Sequence, residues 1–403
     1  MSAEPVEMRA MRLLTAVLTV LTAAALAVAC GGGDKVSGAG LYAAGTISGF
    51  GSVVVNGVRF DTQAVQVRND DDEPSSLDAL SLGMTVEIES GDVVRPADGS
   101  ATAHAERIAH GSILLGPIGG IDTLAQRLTV LGQTVLLTDA TILAGLPGGL
   151  SALTLGQVIE VHGLFDKSNG TTTASRIEVK AGTGNFYRLR GVVSQLDTVA
   201  RTLTVGGQRI SYANADPARI SAELAQGQSV RLKLDPMPQS DGTWVALQIR
   251  SAERSAHEHD GKAVQVEGVI SAYTALTDLR VGALPVDASA ATFSNGTATD
   301  LVVGARVEVA GVVRNGVLQA SRIELRKSTT DKQREFEFHG AIETLNVIDK
   351  TFVLRGSTVD YGDAGVNFVR GAEADLKNGA QVEVKGKRSG DGTQIVATRI
   401  KFE

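Results

Sequence analysis

The sequence predicts an all-β protein of five tandem small OB-like β-barrel domains, and three recurrences predict it. A glycine followed by apolar-polar alternation opens at Gly83, Gly156, Gly227, Gly304 and Gly379, as in Gly156-Gln157-Val158-Ile159-Glu160-Val161. That pattern is a half-buried strand entered from a turn. A second phrase follows each copy, as in Ala174-Ser175-Arg176-Ile177 and Ala320-Ser321-Arg322-Ile323. Between the two stands an Asp-Gly or Asn-Gly pair every time: Asp98-Gly99, Asn169-Gly170, Asp241-Gly242, Asn315-Gly316 and Asp391-Gly392. Such a pair between alternating runs is the strongest short hairpin signal.

The elements of one copy follow in order. Each opens on a glycine-containing strand around Gly45, Gly116, Gly191, Gly268 or Gly340, at spacings of 71, 75, 77 and 72 residues. This period exceeds that of short solenoid units and reads as tandem domains. A second strand ends in glycine, as in Val53-Val54-Val55-Asn56-Gly57, where a tight hairpin requires positive φ. A third strand follows, then a short helix or loop such as Ala218–Leu224, then the two phrase strands. Three strands in a meander and a two-strand hairpin is the strand pattern of an OB-like barrel; a sandwich has the same strand sequence. The recurrent Arg107, Arg176, Arg322 and Arg399 are expected to form exposed pairs with Glu87, Glu160, Glu308 and Glu383.

The start of the chain is of another kind. Arg9 and Arg12 precede an uncharged run from Leu13 to Cys30, a basic region, an apolar core and a small-residue end. This is a secretory signal, with a membrane-anchoring helix as the alternative. Leu26-Ala27-Val28-Ala29-Cys30 resembles the lipobox of bacterial lipoproteins, with Ala27 where that pattern prefers leucine. The resemblance implies acylation of Cys30, the sole cysteine, and attachment to the membrane. Gly31 rather than Asp follows the cysteine, which by the same resemblance implies the periplasmic face of the outer membrane. The chain then divides into a signal peptide at 1–29, a flexible tether at 30–43, and barrels at 44–110, 111–183, 184–252, 263–327 and 335–403. Polar linkers are read at 253–262 and 328–334.

The Gly-x-Ile, Val-x-Val-x-Gly, Gly-x-x-Val-Glu-Val and Ala-x-Arg-Ile phrases resemble domain-of-unknown-function family 5666, found in exported bacterial proteins. The resemblance covers nearly all of 44–403 and brings no catalytic residues. The third copy departs from it, with Arg231 in place of Glu and Gln248 in place of Arg.

Composition bounds the function. Net charge is −7 and aromatics are 4%, so there is neither the basic stripe of a nucleic-acid binder nor the usual material for stacking. Residues 44–110 carry a balance of −7 and residues 186–251 one of +3. A solvated surface is the plain reading of that asymmetry; the sharper one is that acidic and basic copies touch. The run Asn69-Asp70-Asp71-Asp72-Glu73 lacks calcium-loop spacing and reads as a solvated loop. His257, His259 and Asp260 are weak metal candidates, since alternation in an extended chain splits imidazoles from carboxylates and a solvated linker explains the run. His104, His110, His162 and His339 have no Ser or Cys partner at a recognisable spacing, and no nucleophile, zinc or phosphate-loop motif occurs. Trp244 reads as packing. The expectation is a lipid-anchored string of barrels with no enzymatic activity and no cofactor. It would serve as a scaffold or interaction protein of the cell envelope, with an envelope protein or glycan as partner and no nucleic acid. The alternative is envelope polysaccharide or oligosaccharide binding by OB-like faces.

Overall fold

The computed structural model describes residues 40–94, 101–146, 148–182, 184–221, 224–252, 259–282, 284–326 and 335–403. Among them the regular elements are strands and single 3₁₀ turns, with no α-helix. One pairing scheme recurs along the chain. In the first unit the opening strand (Leu41–Gly49) pairs antiparallel with the second (Val53–Val55) and with the first phrase strand (Thr85–Ser90). The third strand (Val58–Asp61) pairs parallel with the closing strand (Ala101–His110), which pairs antiparallel with the phrase strand. The order 1-2-3-5-4-1 closes a barrel, leaving the alternate apolar residues inside. The same parallel third-to-closing pairing recurs at Thr134↔Thr171, Ile210↔Trp244, Val286↔Leu318 and Val359↔Ile395.

The phrase glycine accounts for the closure. Gly83, Gly156, Gly227, Gly304 and Gly379 all have φ between +80° and +90°, a region that β-carbon sterics make costly. That bend lets each N–H donate to the opening strand, at Ile47, Ile118, Val193, Ile270 and Ile342, over 2.8–3.0 Å. The same five residues donate back to the carbonyl of the next phrase residue. The glycine therefore joins strand 4 to strand 1, a pairing that strand order alone leaves open.

Three sequence expectations are corrected. The segment before the phrase strand is one 3₁₀ turn, Pro217–Arg219 in the third unit, capped by Asp216 Oδ1 accepting from Ala218 N at 2.9 Å. It is no longer helix because the chain returns at once to the closing strand, where Ser221 N donates to Ile249 O at 2.8 Å. In four other places a sixth, short strand makes this return: Gln66–Asn69, Ile142–Ala144, Thr292–Ser294 and Asn367–Val369. Of the expected Glu–Arg pairs, Arg322–Glu308 forms at 2.9 Å, but Glu160 meets Lys180 and Glu383 meets Lys401, at 2.8 and 2.9 Å. Register is the reason: Glu160 lies opposite Glu178, and Arg176 lies opposite His162. Arg176 is buried, donating to Glu178 and to Leu82 O of the first unit.

The units are not a string. The opening strand of the first unit runs parallel to that of the fourth (Ala263–Ala275), from Leu41↔Ala263 to Ala44↔Val266. Strand pairing begins at Leu41, inside the segment read as tether. Asn56, at the tip of the first unit's hairpin with φ +52°, fastens this contact. Its Nδ2 donates to Ala44 O (2.9 Å) and Gln265 O (3.2 Å), while Gln265 Nε2 donates to Asn56 O (2.7 Å) and Glu308 Oε1 (2.6 Å). Units one and five share an apolar core that includes Phe60, Phe338 and Phe352; units two and three share another around Leu128, Leu189 and Ile249. Barrels of about 70 residues have small cores, and sharing enlarges them.

Candidate cleft between the barrels

The acidic run of the first unit meets the basic third unit. Asn69 Oδ1 accepts from the N–H of Asp71 and Glu73 at 2.9 and 3.0 Å, which curls the run and aims its acids. Asp70 Oδ1 lies 3.0 Å from Arg188 Nη2, and Asp71 Oδ2 lies 2.6 Å from Lys233 Nζ. Both acid side chains are almost fully buried. Burial raises the Asp70 pKa, with Asp71 adding to it, against the lowering pull of Arg188, Arg231 and Lys233. So the run is a buried clasp rather than a solvated loop, and the charge asymmetry reflects contact between copies. Arg188 also donates to Ser112 Oγ at 2.9 Å.

Beside this clasp lies a cleft of about 400 Å³, bounded by residues of the first four units. That volume lies within the range of small-ligand sites. One wall is a row of arginines on the outer face of the third barrel. Arg190 lies opposite Arg231, and Arg231 opposite Arg250, on three neighbouring antiparallel strands. Residues so placed share a face, and like charges directly opposite destabilise a sheet. Arg190 Nη2 donates to Ala252 O at 3.4 Å. The Nε of Arg231 is buried without an acceptor among the described residues. Acids also line the cleft, but Asp72 sits 2.8 Å from Arg107, and Glu267 sits 3.3 Å from Arg306.

Behind the clasp is a second titratable group. His162 is fully buried, and neither ring nitrogen makes a hydrogen bond among the described residues. Burial pulls its pKa down to about 4, assisted by Arg176, His110 and Lys180 and opposed by Glu160. Burial raises Glu160, but His162, Lys180 and Ser112 outweigh it and hold the carboxyl at about 2. His110 is lowered chiefly by burial and bonds Ser75 Oγ through Nε2 at 2.9 Å.

The residues singled out by sequence fall elsewhere. Cys30 and His257 lie outside the described residues. His259 is buried, stacked on Tyr42 with ring centroids 3.9 Å apart, and Asp260 Oδ1 accepts from Gly316 N at 2.8 Å. These two therefore serve packing and a turn, and the described end of 253–262 is not a solvated linker. His104 lies 3.5 Å from Asp61 and His339 lies 2.9 Å from Glu403, both well apart from the cleft lining. Trp244 packs edge-on against Tyr187 at 5.8 Å and donates to Gln208 Oε1 at 2.9 Å. Sequence reasoning missed the arginine row; its one signal was the departure of the third copy at Arg231 and Gln248.

Comparison with known proteins adds the following. A family model described as a domain of unknown function (DUF5666) matches residues 116–178, 190–250, 267–324 and 339–401. No curated protein matches the chain. A solved structure described as "drosophila Unr CSD456" is similar over 53% of this chain and 96% of its own, at 15% identity and a TM-score of 0.13. A superposition that loose carries no argument. The first unit lies outside the four matched segments and has the same strand pairings as they do.

Proposed function

The chain belongs to the DUF5666 family, and from that premise we propose that it is a lipid-anchored, non-catalytic binding platform of the cell envelope. The observation that carries the platform is the closure of non-consecutive units on one another: Leu41–Ala44 pairs with Ala263–Val266 across more than two hundred residues. A string of independent modules would have no use for that contact; a body that holds a cleft in fixed shape does. The lipobox-like end of the leader supports an anchor at Cys30, on the periplasmic face of the outer membrane. The absence of a nucleophile-base pair in the sequence supports a role other than catalysis, without cofactor or nucleic acid.

A Cys30→Ala variant tests the address: it leaves the envelope fraction for the soluble one, and retention of the variant in membranes would refute the anchor. Affinity purification of the acylated protein with mass spectrometry of its companions tests the platform, and recovery of the chain alone after crosslinking would count against it. A second reading, binding of an envelope oligosaccharide, is favoured by the volume of the cleft. A glycan array separates the two, since a scaffold leaves every glycan unbound.

A further inference from the structure

The third and fourth units answer the same question about charge in opposite ways. In the fourth unit Glu267 lies opposite Glu308, and Glu308 opposite Glu324, at the three strand positions that Arg190, Arg231 and Arg250 hold in the third. The fourth unit neutralises its acid row from within. Arg306 reaches Glu267 at 3.3 Å, Arg322 reaches Glu308 at 2.9 Å, and Arg326 bridges Glu308 and Glu324. Three acids are thus met by three arginines of the same barrel.

The third unit inverts the row without inverting its partners. The positions of Arg306, Arg322 and Arg326 are filled there by Ser229, Gln248 and Ala252, none of which is an acid. The clasp does not make up the deficit. Asp70 and Asp71 engage the neighbouring row, Arg188 and Lys233, two residues along the same strands. Asp70, which feels the charge of Arg231, is already paired with Arg188. No carboxylate lies within ion-pair distance of Arg231 or Arg250 among the described residues, and the row faces the cleft.

From this we infer that the cleft is a binding site for a small oxyanion-bearing molecule, held by Arg190, Arg231 and Arg250 in the place of the missing acids. Guanidinium groups present forked donors that match carboxylate and phosphate oxygens two at a time. A row of three suits a ligand with two or more such groups. The bound anion removes the repulsion along the row and supplies the acceptor that Arg231 Nε lacks. This goes beyond the platform reading and does not depend on the anchor.

The test is calorimetric titration of the detergent-solubilised full chain with citrate and, separately, with pyrophosphate, at low ionic strength. Citrate stands for carboxylate ligands and pyrophosphate for phosphate ones. Saturable binding of either is expected, with the tighter of the two naming the oxyanion. Arg231→Glu restores the residue type of the other four copies and is expected to weaken binding at least about tenfold. Arg231→Gln, which removes the charge with less disturbance, is expected to do the same if the first variant folds poorly. Arg219→Gln, on the exposed 3₁₀ turn of the same unit, is expected to bind as the parent does. Failure of both probes to bind at up to about 10 mM would overturn the inference, as would equal affinity in the Arg231 variants. Either failure leaves the anchoring reading untouched, because fractionation of Cys30→Ala measures that alone.

Discussion

Replacing Gln265 by leucine examines whether the first and fourth barrels hold each other. Gln265 is 2% exposed, and its Nε2 serves both the carbonyl of Asn56 and the carboxylate of Glu308, which is itself 2% exposed. Leucine nearly conserves the volume, so the loss is one of hydrogen bonds rather than packing. The bond to the carboxylate is charge-assisted and contributes about 1.5–3 kcal/mol; the bond to the carbonyl contributes about 1 kcal/mol. Both acceptors remain buried after the change, which places the expected cost at about 3–4 kcal/mol. The assay is urea unfolding followed by circular dichroism and by the fluorescence of Trp244. A second variant, Asn56→Gly, keeps the positive φ that the turn requires and removes only the side chain that donates to Gln265 O. It should cost about 1–2 kcal/mol by the same reasoning. If both variants unfold within about 0.5 kcal/mol of the parent, the contact between these units contributes nothing and the closed arrangement is wrong.

Other outcomes follow from the same structure. Gly156→Ala should cost about 1–2 kcal/mol from backbone strain alone, since φ is +80° and nothing lies within 4 Å of the added methyl; calorimetry showing no shift would remove the glycine from the closure argument. Val307→Asp places a charge at a fully buried position of the fourth barrel and should unfold that barrel, visible as lost strand signal in circular dichroism and as new protease sites. The pH dependence has a definite sign. His162 has its pKa lowered from 6.5 to about 4, so its contribution is complete above pH 6.5 and is lost as pH falls towards 4, about 3 kcal/mol in all. Glu160 is lowered from 4.5 to about 2, so its contribution is complete above pH 4.5 and disappears on further acidification. His162→Gln should flatten the upper part of this profile, and an unchanged slope between pH 6.5 and 4 would refute the assignment.

Much of the barrel was legible because each of its devices is local. Asn56-Gly57 and Asn315-Gly316 take positive φ at both residues, as a tight hairpin demands, and alternation sets which side chains enter the core. The closure was half legible: the glycine at the head of each phrase was evident, but not that its N–H would reach back to Ile47 or Ile118. Partner choice among charges was illegible. Arg176 faces His162 rather than Glu160 because a bulge shifts the register, and bulges leave no clear mark in a single sequence. The clasp was legible only as arithmetic, an acid surplus in one copy and a basic surplus in another. Nothing in residues 69–73 says that Arg188 and Lys233, more than a hundred positions later, will neutralise them.

The parallel register of Leu41–Ala44 with Ala263–Val266 also bears on how the polypeptide is made. A strand near the beginning must wait for one more than two hundred residues downstream, so this contact has high contact order and forms late. Until then the early barrel offers an unsatisfied edge to any passing chain. Export that delivers the halves far apart in time would thus call for a periplasmic holdase. A product cut short before residue 263 is expected to precipitate rather than persist as a shorter, working version.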